Sequence, residues 1–242
     1  MIVLHHLKNS RSTRIVWMLE ELKVPYEIKV YDRVDGRAPP AYTKLSPLGK
    51  SPIVVDDGVT YIESAAILEH LVRKYGPSFK PSEEDVAELE KYELWMHFSE
   101  ASLMPFIWAS HVLDLSVNMT PIFFRYIVRQ FVNGIKSKYL SKETFLNLDY
   151  IDNHLASNEY FAGEQFTAAD PQMCFPIFAA QRDYLSQKPY KNIKRWMRVV
   201  SDRPACRIAA EKVEDNTLTL FSDVERYSHP PTPPPEQVRS DE

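Results

Sequence analysis

The sequence predicts an α+β domain followed by an all-helical one. Residues 1–76 carry the strand signals, and residues 83–212 carry helical patterning alone. Three observations predict this division. Apolar β runs and amphipathic helices follow one another as β-α-β and then β-β-α up to Tyr75. Pro77 and Pro81 interrupt the periodicity within a short linker, 77–82. From Glu83 onward period-two alternation disappears.

Each element has a local reason. Ile2 to His5 reads as a strand. Ser10 or Ser12 then offers an N-cap, and Ile15, Met18, Leu19 and Leu22 recur at helical spacing with Glu20, Glu21 and Lys23 facing out. Val24-Pro25 ends that helix, and Tyr26 to Tyr31 alternates as a second strand. The stretch 32–46 is polar and proline-containing, with at most a short helix near Tyr42. Ile53–Val55 and Thr60–Ile62 flank Asp56-Asp57-Gly58, a hairpin signal. Leu68, Leu71, Val72 and Tyr75 mark the next helix. This order is the thioredoxin-like plan, a mixed sheet with helices on both faces. Beyond the linker, Glu83 to Leu113 is expected as one long helix, Pro121 to Tyr139 as a second and Lys142 to Ala156 as a third. Thr167-Ala168-Ala169-Asp170 is a capping box with Pro171 in the first turn, and Ile193, Trp196, Met197 and Val200 mark a further helix. Residues 213–242 read as a polar extension ending in the proline-rich segment 230–235.

Composition limits the function. With 242 residues, 44% of them hydrophobic, the chain can bury a sizeable core. A net charge of −4 argues against nucleic acid as a partner. No apolar run approaches the roughly 20 residues of a membrane span. Cys174 and Cys206 are far apart and outside any Cys-x-x-Cys pattern, which fits a reducing cytoplasm and leaves the sequon at Asn118 idle.

The segment Gly49-Lys50-Ser51-Pro52-Ile53-Val54-Val55, with Glu63-Ser64 downstream, carries the chemistry. Proline sits at strand starts because it has no N–H for the ladder, and its imide bond alone becomes cis cheaply. A cis Ser51–Pro52 bond turns the Ser51 main chain outward, where it can pair with an extended peptide. Glu63-Ser64 opens a helix and offers a hydroxyl, N–H donors and a positive dipole end to a carboxylate. Together these features describe a site for a small acidic peptide. Taken singly, Ser51-Pro52 is only a strand boundary, and a serine before a helix is only a cap.

Other patterns fail. Gly49-Lys50-Ser51 is not a phosphate loop, because Lys44 occupies the first glycine position. His5 and His6 are adjacent in a strand and point to opposite faces, so no metal pair is expected. Ser10 lacks the Gly-x-Ser-x-Gly turn of a hydrolase. Lys136, Lys138 and Lys142 read as a solvated helix end.

Three phrases together carry a family resemblance over about residues 1–210: His5-His6-Leu7-Lys8-Asn9-Ser10-Arg11-Ser12-Thr13-Arg14, Pro47-Leu48-Gly49-Lys50-Ser51-Pro52 and Phe161-Ala162-Gly163-Glu164-Gln165-Phe166-Thr167-Ala168-Ala169-Asp170. In this order the chain resembles a cytosolic glutathione transferase of the serine type, close to fungal and bacterial members related to a yeast enzyme. The resemblance implies glutathione as co-substrate with no other cofactor, a two-fold homodimer and a role in detoxification. It implies that Ser51 and Pro52 meet the cysteinyl backbone. Ser64 would take the γ-glutamyl carboxylate and Glu63 the ammonium, with Lys50 or Arg37 on the glycyl carboxylate. Ser10 stands where serine-type members keep the activating hydroxyl, with Asn9 and Ser12 as alternatives. Leu7, Met104, Trp108 and His111 are candidates for the wall of an electrophile pocket, with Phe106, Ile107, Phe123 and Phe124 nearby.

The energetics are sufficient. A free thiol titrates near ~8.5, so lowering it by ~2 units takes ~2.7 kcal/mol. A hydroxyl bonded to an anion supplies about 1.5–3 kcal/mol, and a helix N-terminus adds about 0.3–1 kcal/mol. The implied reaction is conjugation of the thiolate to hydrophobic electrophiles, with reduction of organic hydroperoxides open to the same group. The alternative is a non-catalytic glutathione or ligand carrier of the same architecture. A third is an interaction protein acting through the proline-rich end.

Overall fold

The computed structural model of the chain describes residues 1–213. Of the extension expected over residues 213–242, all but Val213, including the proline-rich end, lies outside the described residues. β1 (Ile2–Leu7) is followed by α1 (Thr13–Leu22) and β2 (Tyr26–Tyr31), and β2 runs parallel to β1 with Ile2 opposite Tyr26. A single short turn of helix, α2 (Pro40–Thr43), lies in the polar stretch. β3 (Ile53–Asp56) and β4 (Val59–Ile62) form the hairpin, turning through Asp57 and Gly58 at φ +49° and +82°. Both residues of a type I′ turn need positive φ, which the Asp-Gly pair supplies. β3 runs antiparallel to β1, giving the order β2-β1-β3-β4, and α3 (Ser64–Tyr75) follows. The thioredoxin-like plan is present as expected.

Strand alternation sorts β1 into two layers. Ile2 and Leu4 join the main core with Trp17, Val54 and Leu68, while Leu7 packs in a small cluster with Tyr42 and Ile53. Burying a side chain of this size stabilises the fold by about 1.5–3 kcal/mol relative to leaving it in water.

Asp56, fully buried at the end of β3, joins sheet to helix. It accepts from His70 Nε2 at 2.9 Å, Lys74 Nζ at 2.7 Å and the Tyr75 hydroxyl at 2.8 Å. Burial works to raise its pKa, but the bonds from Lys74, His70 and Tyr75 outweigh it and hold the carboxyl below its ordinary value. A depressed carboxylate contributes stability above its unfolded pKa and loses it as pH falls through the folded one. Asp56→Asn is therefore expected to lower the unfolding temperature by several degrees at pH 7. The gap to wild type should close in acid scans below about pH 4.

The helical part departs from expectation in its joints. α4 (Val86–Phe98) is capped by Asp85, whose Oδ1 accepts from Glu88 N at 3.2 Å. It continues through a π turn (Ser99–Leu103) into α5 (Met104–Met119), so the long helix runs six residues past Leu113. Pro105 has no N–H to return to the preceding turn, and the widened turn absorbs the missing bond. α6 (Ile122–Ile135) likewise passes through a π turn (Lys136–Leu140) into α7 (Ser141–Leu155), so two expected helices form one rod. α8 (Ala169–Ala180), α9 (Lys191–Ser201) and α10 (Pro204–Val213) complete the described chain. Sequence reading had not separated α10. It lies against α1, where Arg203 forks onto Glu21 at 2.6 and 2.8 Å and stacks on Phe166.

Only the acidic half of the expected capping box forms. Asp170, wholly buried, accepts from Thr167 N at 2.9 Å, Phe161 N at 3.2 Å and Trp196 Nε1 at 2.8 Å. Burial pushes its carboxyl up to about 6 against those three donors.

Candidate active site

β1 ends at Leu7, and the chain turns through Asn9, at φ +54°, before α1 begins. Ser12 holds the N-cap position, yet its hydroxyl makes no cap bond to the helix. It turns instead to Ser10 Oγ at 2.8 Å and His6 Nδ1 at 2.8 Å. Ser10 Oγ donates to Ser51 Oγ at 2.9 Å. The Ser51–Pro52 bond is cis, as expected, and Ser51 lies just ahead of β3. The loop after β1 and the turn before β3, 41 residues apart in sequence, thus meet through hydroxyls.

The three candidates for thiol activation separate by environment. Ser10 lies at the junction with Ser51, 6% exposed. Ser12 is wholly enclosed, its hydroxyl turned to Ser10 and His6. Asn9 is exposed, and its carbonyl accepts from Arg33 Nη2 at 3.2 Å.

Glu63 takes φ +68° and ψ +122°, a conformation unfavourable for a residue with a Cβ, and it is exposed at the head of α3. Ser64 beside it is buried and accepts from Arg14 Nη1 at 3.3 Å. Arg14 is the centre of a network that sequence reading missed. It donates to Gln172 Oε1 at 2.7 Å and Glu100 Oε1 at 3.0 Å, and Arg11 Nε adds bonds to Glu100 at 2.9 and 3.0 Å. Burial works against the Arg14 charge, and Glu100 answers it. Both guanidinium groups also lie over the Phe175 ring. Glu100 sits in the π turn, so the head of the sheet-layer helix is pinned to the helical layer.

Lys50 is exposed directly before Ser51. Arg37 lies in an exposed tight turn, joined to Val34 by paired main-chain bonds of 2.9 Å, and the structure does not bring it to Ser10 or Ser51. The arginine over the loop is Arg33, which holds the carbonyls of Lys8 and Asn9 at 3.2 Å.

Two of the four pocket candidates belong to the core. Alternation turns Leu7 onto Tyr42 and Ile53 in the small cluster. Met104, at the start of α5, lies in the main core cluster. Trp108 and His111 stay exposed, with ring centres 5.5 Å apart. Phe106 packs on Tyr139, Ile107 is buried, and Phe123 and Phe124 are exposed on α6. A shallow recess lined by Glu90, Leu94, His97 and Phe98 opens along α4, and its lining includes none of these candidates.

Cys174 and Cys206 are free and buried, and burial pushes the Cys174 thiol up to about 12. Neither can act as a thiolate near neutral pH. Among the described residues no cluster of three or more histidine, cysteine or acidic side chains is placed to hold a metal, and no helix is long and apolar enough to cross a membrane.

This fold and this junction define a class. The N-terminal domain profile of glutathione S-transferases matches residues 1–73 and the C-terminal domain profile matches residues 115–204. The chain belongs to the glutathione S-transferase family, enzymes that use glutathione as co-substrate. It is 27% identical over 221 residues to Glutathione S-transferase 1 of Saccharomyces cerevisiae, covering 87% of this chain and 94% of that one. A glutathione S-transferase-like protein of Beauveria bassiana is 28% identical over 221 residues, covering 86% and 93%. The crystal structure of a glutathione S-transferase from Actinobacillus pleuropneumoniae superposes with a TM-score of 0.73 at 29% identity, covering 93% and 98%.

Proposed function

We propose that this chain holds the glutathione sulfur at Ser10 and conjugates its thiolate to hydrophobic electrophiles. The observation that carries the reading is the Ser10 hydroxyl, 2.9 Å from Ser51 Oγ, beside the cis Ser51–Pro52 bond and at the head of α1. Ser51 pairs with the cysteinyl main chain, Ser64 takes the γ-glutamyl carboxylate and Glu63 the ammonium. Lys50 takes the glycyl carboxylate as a point charge. Bound sulfur displaces Ser51 Oγ as the acceptor of the Ser10 proton and gains the positive end of α1. The thiol proton goes to solvent, the thiolate forms a bond to the electrophile carbon, and either a leaving group departs with its electron pair or, on addition to an activated double bond, the resulting carbanion takes a proton from solvent. The same thiolate can attack an organic hydroperoxide, forming an S–O bond as the O–O bond breaks to release the alcohol, after which a second glutathione reduces the sulfenic acid to give the disulfide and water. Trp108 and His111 form the exposed aromatic side of the electrophile site, which favours apolar and aromatic substrates.

In this reading residues 1–76 hold glutathione, 77–82 link, and 83–212 supply the electrophile wall. The buried, unpaired cysteines support a cytoplasmic setting. The family resemblance supports a homodimer.

The test is near-ultraviolet absorbance of glutathione bound to the full chain. The expected result is a thiolate band at pH 7, followed by turnover in a panel of electrophiles and hydroperoxides. Bound glutathione whose thiol stays protonated would mark a carrier and end the catalytic reading. Lys50→Ala is expected to raise the KM for glutathione about five- to tenfold, the loss of one exposed charged contact of about 1 kcal/mol, with kcat within about twofold. Steady-state kinetics at varied glutathione measures it.

A further inference from the structure

The junction contains more than the one hydroxyl the mechanism uses. The geometry points to His6 and Ser12 as positioning residues that form, with Ser10, a one-way chain of hydrogen-bond donors ending on the glutathione sulfur. This inference rests on the Ser10 reading above and deepens it.

A serine hydroxyl has one proton to give and two lone pairs to receive. Ser10 Oγ gives its proton to Ser51 Oγ at 2.9 Å. In the 2.8 Å contact between Ser10 Oγ and Ser12 Oγ, Ser12 must therefore be the donor. That proton goes to Ser10 at 2.8 Å in preference to the Leu7 carbonyl at 3.4 Å, so the 2.8 Å contact from Ser12 Oγ to His6 Nδ1 requires the donor to be the imidazole. The Ser12 main-chain N–H, 3.3 Å from Ser10 Oγ, reinforces the same direction. His6 carries its proton on Nδ1, and the order is His6 to Ser12 to Ser10 to acceptor. The opposite tautomer would make Ser12 donate to His6 and Ser10 donate to Ser12, leaving nothing for a thiolate.

The chain is enclosed. His6 and Ser12 are wholly buried, and His6 shares the β1 face of Ile2 and Leu4 beneath α1. Each donor in a buried chain polarises the next, so Ser10 becomes a stronger and better-aimed donor than an isolated serine. The charged and titratable groups around it are bonded elsewhere. Arg14 on α1 holds Glu100 and Gln172, and Arg11 also holds Glu100. Arg33 holds the carbonyls of Lys8 and Asn9, and Tyr42, which also faces Ser51, donates to the His5 carbonyl. Glutathione sulfur need only replace Ser51 Oγ at the end of the chain.

The experiment titrates the near-ultraviolet thiolate band of bound glutathione in the full chain carrying Ser12→Ala, His6→Leu, His6→Asn or Ser10→Ala. Glutathione affinity is measured alongside. Ser12→Ala and His6→Leu are expected to lower the thiolate fraction at pH 7 about three- to tenfold with affinity unchanged. His6→Asn presents an amide N–H near the Nδ1 position and should restore most of what His6→Leu loses. Nitrogen-15 NMR of the wild-type chain should show the His6 proton on Nδ1, a reading independent of whether any variant folds. The chain is overturned if Ser10→Ala shifts the titration while Ser12→Ala leaves it in place, or if the His6 proton resides on Nε2 alone. If Ser10→Ala itself leaves the titration unmoved, the Ser10 reading falls and the chain falls with it.

Discussion

Ser10→Ala is expected to keep glutathione bound and to slow its reaction at neutral pH by about ten- to a hundredfold. In the proposed reading the peptide is held by contacts that do not involve Ser10: the Ser51 main chain, Glu63, Ser64 and Lys50. Affinity should therefore change little. What disappears is a hydroxyl donor to an anion, worth about 1.5–3 kcal/mol, or about one to two units of thiol pKa. The α1 terminus remains and retains part of the shift. The pH profile separates this from a folding defect. In wild type the rate should level off near neutrality, and in Ser10→Ala the same rise should move to higher pH and approach the wild-type plateau. A profile that keeps its inflection, at any amplitude, would remove Ser10 from thiol activation.

Asp170→Ala is expected to cost about 3–5 kcal/mol of stability and to leave little folded protein at 37 °C. The carboxylate is the acceptor for the main-chain N–H groups of Phe161 and Thr167 and for the Trp196 indole. Alanine strands three buried donors at about 1–3 kcal/mol each, only partly offset by water entering the gap. These donors tie the loop at Phe161 to the start of α8 and to α9, so the loss falls on the helical core as a unit. Asp170→Asn keeps a carbonyl acceptor and should sit between the two. Urea unfolding followed by fluorescence and far-ultraviolet circular dichroism measures the series. The position makes no contact with Ser10, so any folded fraction should show the normal thiolate band.

Local patterning made the strands, the hairpin, α1 and the Ser51–Pro52 turn legible, because each depends on neighbours within a few residues. The Asp56-Asp57-Gly58 turn and the Ile15-Met18-Leu19-Leu22 stripe are cases of this kind. What stayed hidden depends on which layer covers which. Alternation says that Leu7 and His6 face opposite ways but not that α2 closes over Leu7. Helical spacing sees Met104 and Trp108 as equally apolar, and only packing sends one inward. Arg14 reads as an ordinary polar position until Glu100 and Gln172, the latter 158 residues distant, arrive beside it. Ser12 looked like a cap or a rival to Ser10, and the identity of its partners required coordinates.

The widened turn at Ser99–Leu103 has a consequence for how substrate preference can drift. Each residue of an α-helix advances the spiral by about 100°. A turn wound around one residue more than an α turn can lose that residue and close to ordinary winding, so the upper rod keeps its bearing, whereas a deletion within α5 ahead of Trp108 would swing everything beyond it by about that angle. Trp108 and His111 would then look out from another compass point without either having been replaced. The direction in which Trp108 and His111 face is set by a residue count along α5, so a single-codon deletion there can redirect both rings, while the same deletion at the widened joint is taken up by the turn.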